Sequence, residues 1–167
     1  MKLRKLLKKD APYMLEWMHD ASVVEYMGKN FAEKTLSDCE AFIEWSNSDN
    51  DNLNLAIVDD NDEYMGTVSL KEIDREEGNA EFAITIRKSA MGKGFSRFGM
   101  SEIIKKGFDE LGLKFIYWCV SKVNERAVRF YDKNGYKRVD FDSLKVKTDY
   151  TDEECKSFYW YIVDGKV

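Results

Sequence analysis

The sequence predicts an α/β protein with a mixed, mostly antiparallel sheet of about six to seven strands and helices on both faces. Three strand-like runs follow one another with short polar turns between them, which favours antiparallel pairing. A long helical pattern over residues 95–111 then joins two further strand-like runs, which is typical of a parallel βαβ crossover. The chain has 167 residues and one proline, so we expect a single domain over residues 1–167.

The N-terminal part is predicted to hold one short strand, over residues 3–6, and three helices. Each helix has a recognisable start or stop. These signals are Asp10 before Pro12, Gly28 after residues 22–27, and a capping box at residues 37–40 before a helix to about Ser46. A polar loop over residues 47–52 is expected to follow.

The remainder is predicted to supply most of the sheet. The strands are expected at residues 53–58, 64–73, 81–86, 115–120, 138–141 and 158–163. The long helix is expected to be closed by Gly112, and a second helix is predicted over residues 124–133. The last strand is expected to cover the core or to pair with a second subunit.

The composition excludes several classes of function. Charged residues make up 34% and the formal net charge is −5, which disfavours binding to nucleic acid or to an anionic membrane. No run approaches the roughly 20 apolar residues of a membrane span. The three cysteines are scattered and there is one histidine, so no metal site is predicted. An odd cysteine count without a secretory signal indicates reduced thiols and a cytoplasmic location.

A basic turn joins the strand at residues 81–86 to the long helix. Gly92 and Gly94 lack Cβ atoms, so the backbone there could approach a diphosphate closely. A helix N-terminus also carries free N–H groups and partial positive charge, which makes the turn a candidate anion site. The spacing matches neither a P-loop nor the dinucleotide fingerprint, since Arg97 stands where the latter has a glycine. On this turn alone, a flexible helix entry explains the glycines equally well.

Two motifs in this region resemble the GNAT superfamily of acetyl-CoA-dependent N-acetyltransferases, in particular its ribosomal-protein N-terminal and spermidine acetyltransferase branch. The family pattern Gln/Arg-x-x-Gly-x-Gly/Ala is SAMGKG over residues 89–94. The pattern Asn-x-x-small-x-x-x-Tyr-x-x-x-Gly-Tyr/Phe is NERAVRFYDKNGY over residues 124–136. Ser89 and Met91 depart from the first pattern, which leaves diphosphate binding to backbone amides and Lys93.

The resemblance implies acetyl-CoA as the cosubstrate, with no metal, bound along a splayed strand pair. Free main-chain groups of one strand would pair with the pantetheine arm, and the N–H of Ile86 or of a neighbour would stabilise the oxyanion. The implied cosubstrate-binding residues are Ile84, Thr85, Ile86, Gly92, Lys93, Gly94, Phe95, Ser96 and Asn124. Helix capping alone would also explain the asparagine.

Two residues are the candidate catalytic groups. Attack of an amine on a thioester needs a base for the amine proton, and the leaving thiolate benefits from an acid. The resemblance implies Glu81 as the base, acting directly or through water, and Tyr131 as the acid, with a pKa near that of a thiol. The alternatives are a solvated strand carboxylate for Glu81 and a packed helix aromatic for Tyr131.

The acceptor amine is less determined by the sequence. The resemblance places its pocket near the first helices, where the candidates are Trp17, Tyr26, Phe31, Glu25 and Glu33. Trp17 and Phe31 are expected in the core rather than in the pocket, His19 on the surface, and Cys119 buried and not nucleophilic.

We therefore expect acetyl transfer from acetyl-CoA to a primary amine, of a peptide N-terminus or a small molecule, by direct attack in a ternary complex. Three alternatives remain open for the acceptor: a polyamine, a sugar amine and an aminoglycoside. The alternative to an enzyme is a non-catalytic CoA-binding module. The glycine spacing disfavours a flavin or nicotinamide protein. The partners expected are an amine substrate, no nucleic acid and no membrane, and the chain is expected to be a monomer or a homodimer.

Overall fold

The computed structural model describes residues 1–165, and these form one seven-stranded sheet. The strands are β1 (Lys2–Lys5), β2 (Leu53–Val58), β3 (Tyr64–Asp74), β4 (Asn79–Ile86), β5 (Phe115–Ser121), β6 (Lys137–Val139) and β7 (Phe158–Asp164). Their spatial order is β1-β2-β3-β4-β5-β7-β6. All neighbours are antiparallel except β4 and β5, which are parallel. The predicted mixed, mostly antiparallel sheet is confirmed.

The helices follow the predicted order with additions near the C-terminus. They are α1 (Ala11–Met18), α2 (Ala21–Val24), α3 (Leu36–Ser48), α4 (Phe95–Asp109), α5 (Glu125–Lys133), α6 (Phe141–Leu144) and α7 (Asp152–Ser157). Short 3₁₀ turns cover Lys8–Asp10 and Lys88–Ala90. The crossover from β4 to β5 runs through α4, as the helical pattern predicted.

Helices cover both faces of the sheet. Side chains of successive strand residues point to opposite faces, so one strand contributes to the core on each side. In β2, Leu55 and Ile57 belong to the core beneath α4 and α5. Ala56 and Val58 belong to a second core beneath α1 and α3. A third cluster joins β5 and β7 to the segment that carries α6 and α7. Each face of the sheet is thus buried by a different set of helices.

Several predicted boundaries were wrong for local reasons. The capping box of α3 is Thr35 with Asp38, two residues before the predicted one, because the Thr35 hydroxyl accepts from the Asp38 N–H and Asp38 bonds back to Thr35. Helix α3 then continues to Ser48, into the predicted loop. The Asp10 carboxylate bonds to the Leu7 N–H and to Arg4 and does not cap α1.

The C-terminal region differs most from the prediction. Strand β6 has three residues, and Phe141, predicted to end it, begins α6 instead. Strand β7 lies between β5 and β6 within this chain, so its two edges are paired internally. Its weak alternation follows from burial on both sides, since Trp160 and Tyr161 are both buried although they face opposite ways.

Candidate active site

The sheet opens at its only parallel pair among residues 1–165. Pairing between β4 and β5 covers three positions and ends where Glu81 lies opposite Tyr117. Strand β4 continues to pair with β3 as far as Ile86 on its other side. The second half of β4 therefore has one unpaired edge, which faces the second half of β5 across a gap.

Backbone alternation decides which groups of β4 point into this gap. The N–H of Arg87, which directly follows the strand, donates to the Met65 carbonyl of β3 at 3.0 Å. Successive residues of a strand point their main-chain groups to opposite edges. The main-chain groups of Ile84 and Ile86 therefore point into the gap, as the resemblance implied. Those of Thr85 point to β3, so the predicted main-chain contact of Thr85 does not fit the strand geometry.

The turn after β4 presents free amides at the start of α4. Gly94 is the N-cap, in the left-handed region with φ 87°, and its carbonyl accepts the Phe98 N–H at 3.0 Å. No residue among 1–165 accepts from the N–H groups of Phe95 and Ser96. Gly92 also has positive φ, and nothing lies within 4 Å of a Cβ built on it. This end of α4 therefore has the open space and the donors that an anion needs.

The basic residues of the turn divide into two groups. Arg87 is buried and its guanidinium bonds to Glu16 and Glu63, so it faces the protein and not the turn. Lys88, Lys93 and Arg97 are exposed, and none forms a salt bridge with residues 1–165. Lys88, Lys93 and Arg97 are therefore available to an anion at this turn, and Arg87 is not.

Asn124 lies at the start of α5, at the other side of the gap. Its Oδ1 accepts the Ala127 N–H at 3.2 Å, so it caps the helix. Its Nδ2 has no acceptor within the described part of the chain. The side chain can therefore cap the helix and still donate a hydrogen bond to a ligand.

Tyr131 packs against the point where the strands part. Its ring lies 5.3 Å from that of Trp118, the first residue of β5 beyond the paired positions. Tyr161 and Tyr136 complete an aromatic cluster around it. Burial raises the pKa of the Tyr131 hydroxyl, so it lies above that of a thiol and not near it as expected, and the group is a protonated hydrogen-bond donor at neutral pH.

Glu81 lies at the last paired position and is not a solvated strand residue. It is 9% exposed, and its Oε2 is 3.4 Å from the Nζ of Lys71 on the neighbouring strand. Burial raises the pKa of the carboxyl, while the ammonium of Lys71 opposes that shift. A buried carboxylate with a raised pKa is a better proton acceptor at neutral pH than a surface glutamate.

The two candidate catalytic residues lie on opposite faces of the sheet. Tyr131 belongs to the core beneath α4 and α5. Glu81 shares its face with Lys71 and Tyr117, which lie directly opposite it on β3 and β5. A ligand in the gap between β4 and β5 would therefore meet a hydroxyl from one face and a carboxylate from the other.

Sequence reasoning missed three polar neighbours of Glu81. Lys71, Tyr117 and Tyr150 surround its face of the sheet. A regular β3–β4 hairpin would have allowed the partner of Glu81 to be read from the sequence. The bulge between Lys71 and Asp74 shifts the register, so Lys71 could not be identified in this way. Cys119 is half-buried instead of buried, and burial followed by the charge of Glu81 raises its pKa to about 12, so it is a neutral thiol.

The predicted acceptor residues divide between core and surface. Trp17 is buried and its Nε1 donates to the Tyr64 hydroxyl at 3.1 Å, so its assignment to the core is confirmed. Phe31 packs edge-on against it at 5.4 Å. Glu25, Tyr26 and Glu33 are exposed. His19 is exposed too, as expected, with its Nε2 2.9 Å from the Lys34 carbonyl.

Within residues 1–165, no three His, Cys, Asp or Glu side chains are grouped so that they could hold a metal ion. None of the helices described is both long and apolar enough to span a membrane.

Comparison with known proteins gives one family. The profile of the acetyltransferase (GNAT) domain family matches residues 1–137. The chain is 32% identical over 141 residues to the spermidine N(1)-acetyltransferase of Escherichia coli K12, covering 81% of this chain and 72% of that protein. It is 29% identical over 153 residues to an uncharacterised N-acetyltransferase, p20, of Bacillus licheniformis, covering 86% and 84%.

Solved structures share the fold. A spermidine N-acetyltransferase from Vibrio cholerae, in complex with CoA and spermine, superposes with a TM-score of 0.78. It is 22% identical, and the match covers 98% of this chain and 94% of that one. A dodecameric structure of the Vibrio cholerae enzyme in an intermediate state matches with a TM-score of 0.72 and 21% identity, over 98% and 92%.

Proposed function

This chain belongs to the GNAT acetyltransferase family and is an acetyl-CoA-dependent N-acetyltransferase, and we propose that its acceptor is a polyamine. Two relatives that carry the name spermidine N(1)-acetyltransferase, from Escherichia coli and Vibrio cholerae, support this choice over a peptide N-terminus. The charge distribution at the candidate site supplies an independent argument.

Acidic residues are frequent where β3 pairs with the first half of β4, the region in which the acceptor would meet Glu81. Glu72 and Asp74 lie at the bulged end of β3, beside the pair that Lys71 forms with Glu81. A negative potential of this kind attracts a substrate with several positive charges. Lys71 pairs with the Glu81 carboxylate, and its aminobutyl side chain resembles one arm of a polyamine. The ion pair that the buried Glu81 carboxylate forms with the Lys71 ammonium, at 3.4 Å on this face, is the observation that carries the proposal.

The gap and the turn are proposed to hold the cosubstrate. The amides of residues 92 and 94–96 and the side chain of Lys93 would bind the diphosphate, and Asn124 Nδ2 would donate to the same molecule. Ile84 and Ile86 would pair with the pantetheine arm through the unpaired edge of β4. Acetyl-CoA supplies the activated acetyl group as a thioester.

Each proposed catalytic group has one task. Glu81 accepts the proton of the acceptor ammonium, so that the nitrogen lone pair becomes available for attack. The Ile86 N–H donates to the oxyanion that develops on the attacked carbonyl. Tyr131 donates its hydroxyl proton towards the leaving sulfur. Because Glu81 and Tyr131 lie on opposite faces of the sheet, one can remove the amine proton while the other delivers a proton to the sulfur.

An acceptor panel tests the proposal directly. Free thiol is measured with saturating acetyl-CoA and with spermidine, spermine, glucosamine, an aminoglycoside or a peptide with a free N-terminus. We expect kcat/KM for spermidine or spermine to exceed that for the peptide by about 100-fold or more, as one well-placed charged contact on each end would give. Preference for the peptide would contradict the polyamine proposal, while CoA binding without thiol release on any amine would indicate a non-catalytic module.

We propose that residues 1–167 act as one catalytic domain, and that the chain is a monomer or a homodimer. The family profile reaches residue 137, and β7 completes the sheet beyond it. Sedimentation velocity would measure the assembly, and a species larger than a dimer would contradict this expectation.

A further inference from the structure

We propose that Arg87 is a positioning residue for the cosubstrate turn, which it anchors to α1 and to the turn between β2 and β3. The inference rests on the proposed CoA site at residues 92–96. It concerns a residue that does not touch the ligand. Arg87 would act by fixing where the backbone leaves β4.

The guanidinium of Arg87 is held from three directions. Its Nε and Nη2 donate to the two carboxylate oxygens of Glu16 in α1, at 3.0 and 2.9 Å. Its Nη1 donates to Glu63 Oε1 at 2.7 Å and to the Tyr64 carbonyl at 3.1 Å. The ring of Tyr13 lies 4.5 Å from its central carbon. A planar group with this many directed contacts has one orientation, which a lysine could not reproduce.

The main chain of Arg87 controls the first bend towards the ligand. Its N–H closes the pairing of β4 with β3 at Met65, and its carbonyl accepts the Ala90 N–H at 3.0 Å to form the 3₁₀ turn. Gly92 follows two residues after that turn ends. The side chain and the main chain of one residue therefore join α1 and β3 to the start of the anion-binding backbone.

The partners of Arg87 make the proposal testable without collapse of the fold. Glu16 and Glu63 keep 48% and 43% of their side-chain surface exposed, so removal of Arg87 leaves carboxylates that water can solvate. This differs from Arg4, whose partner Asp10 is 1% exposed and would be left as an unpaired buried charge.

Two adjacent residues of the turn between β2 and β3 supply a matched control. Glu63 binds Arg87, and Asp62 binds Arg4 at 2.9 Å in a second charge network that does not include residues 87–96. Glu63→Gln and Asp62→Asn each replace a carboxylate by its amide in the same turn. Asparagine tolerates the positive φ of 63° at position 62.

The experiment measures KM for acetyl-CoA, kcat and melting temperature for Arg87→Met, Arg87→Lys, Glu63→Gln and Asp62→Asn. We expect KM for acetyl-CoA to rise about tenfold in Arg87→Met and about threefold in Glu63→Gln, because a displaced backbone weakens the contacts of the turn with the cosubstrate. We expect kcat to fall by a smaller factor, since Ile86, the proposed oxyanion donor, directly precedes Arg87. Arg87→Lys is expected between the wild type and Arg87→Met. Asp62→Asn is expected to lower the melting temperature and leave KM unchanged.

Each outcome has one meaning. A wild-type KM in Arg87→Met and Glu63→Gln would overturn the positioning role, as would an equal rise in Asp62→Asn. If Arg87→Met does not fold, Glu63→Gln and Arg87→Lys decide the question with the same readout. Failure of the wild-type protein to bind CoA would instead remove the proposed site on which the inference rests.

Discussion

The two halves of β4 differ in one respect that explains the position of the candidate site. From Asn79 to Glu81 the strand is paired on both edges, with β3 and with β5. From Phe82 to Ile86 it is paired with β3 alone. The first half is ordinary sheet, whereas the second half keeps an edge of main-chain groups within the middle of the sheet.

An unpaired edge inside a sheet is costly unless something satisfies it, since buried main-chain groups are almost always hydrogen-bonded. Family membership identifies a CoA thioester as a suitable occupant. The difference between the halves thus separates groups that build the fold from groups that are free to bind. Glu81 lies at the boundary, and Gly92 and Gly94 lie just beyond the open half.

The largest expected effect is at the turn that follows the open half. Gly94→Val places a β-branched residue at φ 87°, with its Cβ 3.9 Å from the Cε of Met1, on the backbone proposed to hold the diphosphate. We expect CoA binding, measured by calorimetry, to weaken by about 100-fold or more, since loss of several charge-assisted amide contacts costs about 3 kcal/mol or more.

Gly112→Val is the control for backbone strain. Gly112 has φ 66° with nothing within 4 Å of a built Cβ, and it lies in the turn between α4 and β5. Both variants should lose stability by roughly 1–2 kcal/mol. Equal CoA affinity in the two variants would contradict the position of the diphosphate.

The second effect concerns the α5 side of the gap. Tyr131→Phe removes the buried hydroxyl and keeps the ring contacts with Trp118 and Tyr161. We expect kcat to fall by about 100-fold, with KM for acetyl-CoA within about twofold, because general acid catalysis contributes to turnover more than to binding. Tyr136→Phe, in the same aromatic cluster, should retain the wild-type rate, and a similar loss in both would remove Tyr131 from the mechanism.

The third effect concerns Glu81, which lies at the boundary between the two halves of β4. Glu81→Gln removes the proposed base, and we expect kcat/KM at pH 7.5 to fall about 10- to 100-fold. The loss should shrink at high pH, where the acceptor amine is already neutral in part. A pH-independent loss would show that Glu81 serves binding instead of proton transfer.

The same substitution, Glu81→Gln, should lower activity but raise the stability of the fold at neutral pH. The pKa of Glu81 is raised above the ordinary value of 4.5 in the folded protein, so the folded state binds more protons than the unfolded state just above that pH. The wild type therefore loses stability as the pH rises through the folded pKa, and Glu81→Gln does not. Melting curves from pH 4 to 8 should favour the variant increasingly towards neutral pH, whereas a gap that widens towards acid would contradict the raised pKa.

Lys71→Met should have the smallest effect, a shift in the pH dependence of the reaction through the pKa of Glu81. Lys71 is the ion-pair partner of Glu81 at 3.4 Å, and its removal leaves burial to act alone on the carboxyl. The pKa of Glu81 should rise further, so the acid limb of the kcat/KM profile should move to higher pH. Lys106→Met, which removes an exposed helix pair of α4, should leave the profile in place.

The sequence predicted local features of the fold well. Turn residues and alternation placed β2 to β5, and the crossover through α4 followed from its helical period. The motif around Asn124 and Tyr131 identified a helix cap and a buried aromatic, both of which the structure contains. These features depend on neighbours in sequence, which a pattern can report.

Features that depend on distant residues were not predicted. Arg87 stands next to the basic turn in sequence, but its partners Glu16 and Glu63 lie 71 and 24 residues away along the chain. Lys71 meets Glu81 only because a bulge sets the register of β3 against β4. The order in which β7 enters the sheet likewise depends on packing against β5 and not on its own alternation.

The most direct test of the account is a crystal structure of the protein with CoA. We predict diphosphate oxygens within about 3.2 Å of the N–H groups of residues 92 and 94–96, and a pantetheine amide bonded to Ile84 or Ile86 in the gap between β4 and β5. A diphosphate bound elsewhere, or a pantetheine arm outside that gap, would contradict the claim that the open half of β4 is the cosubstrate site.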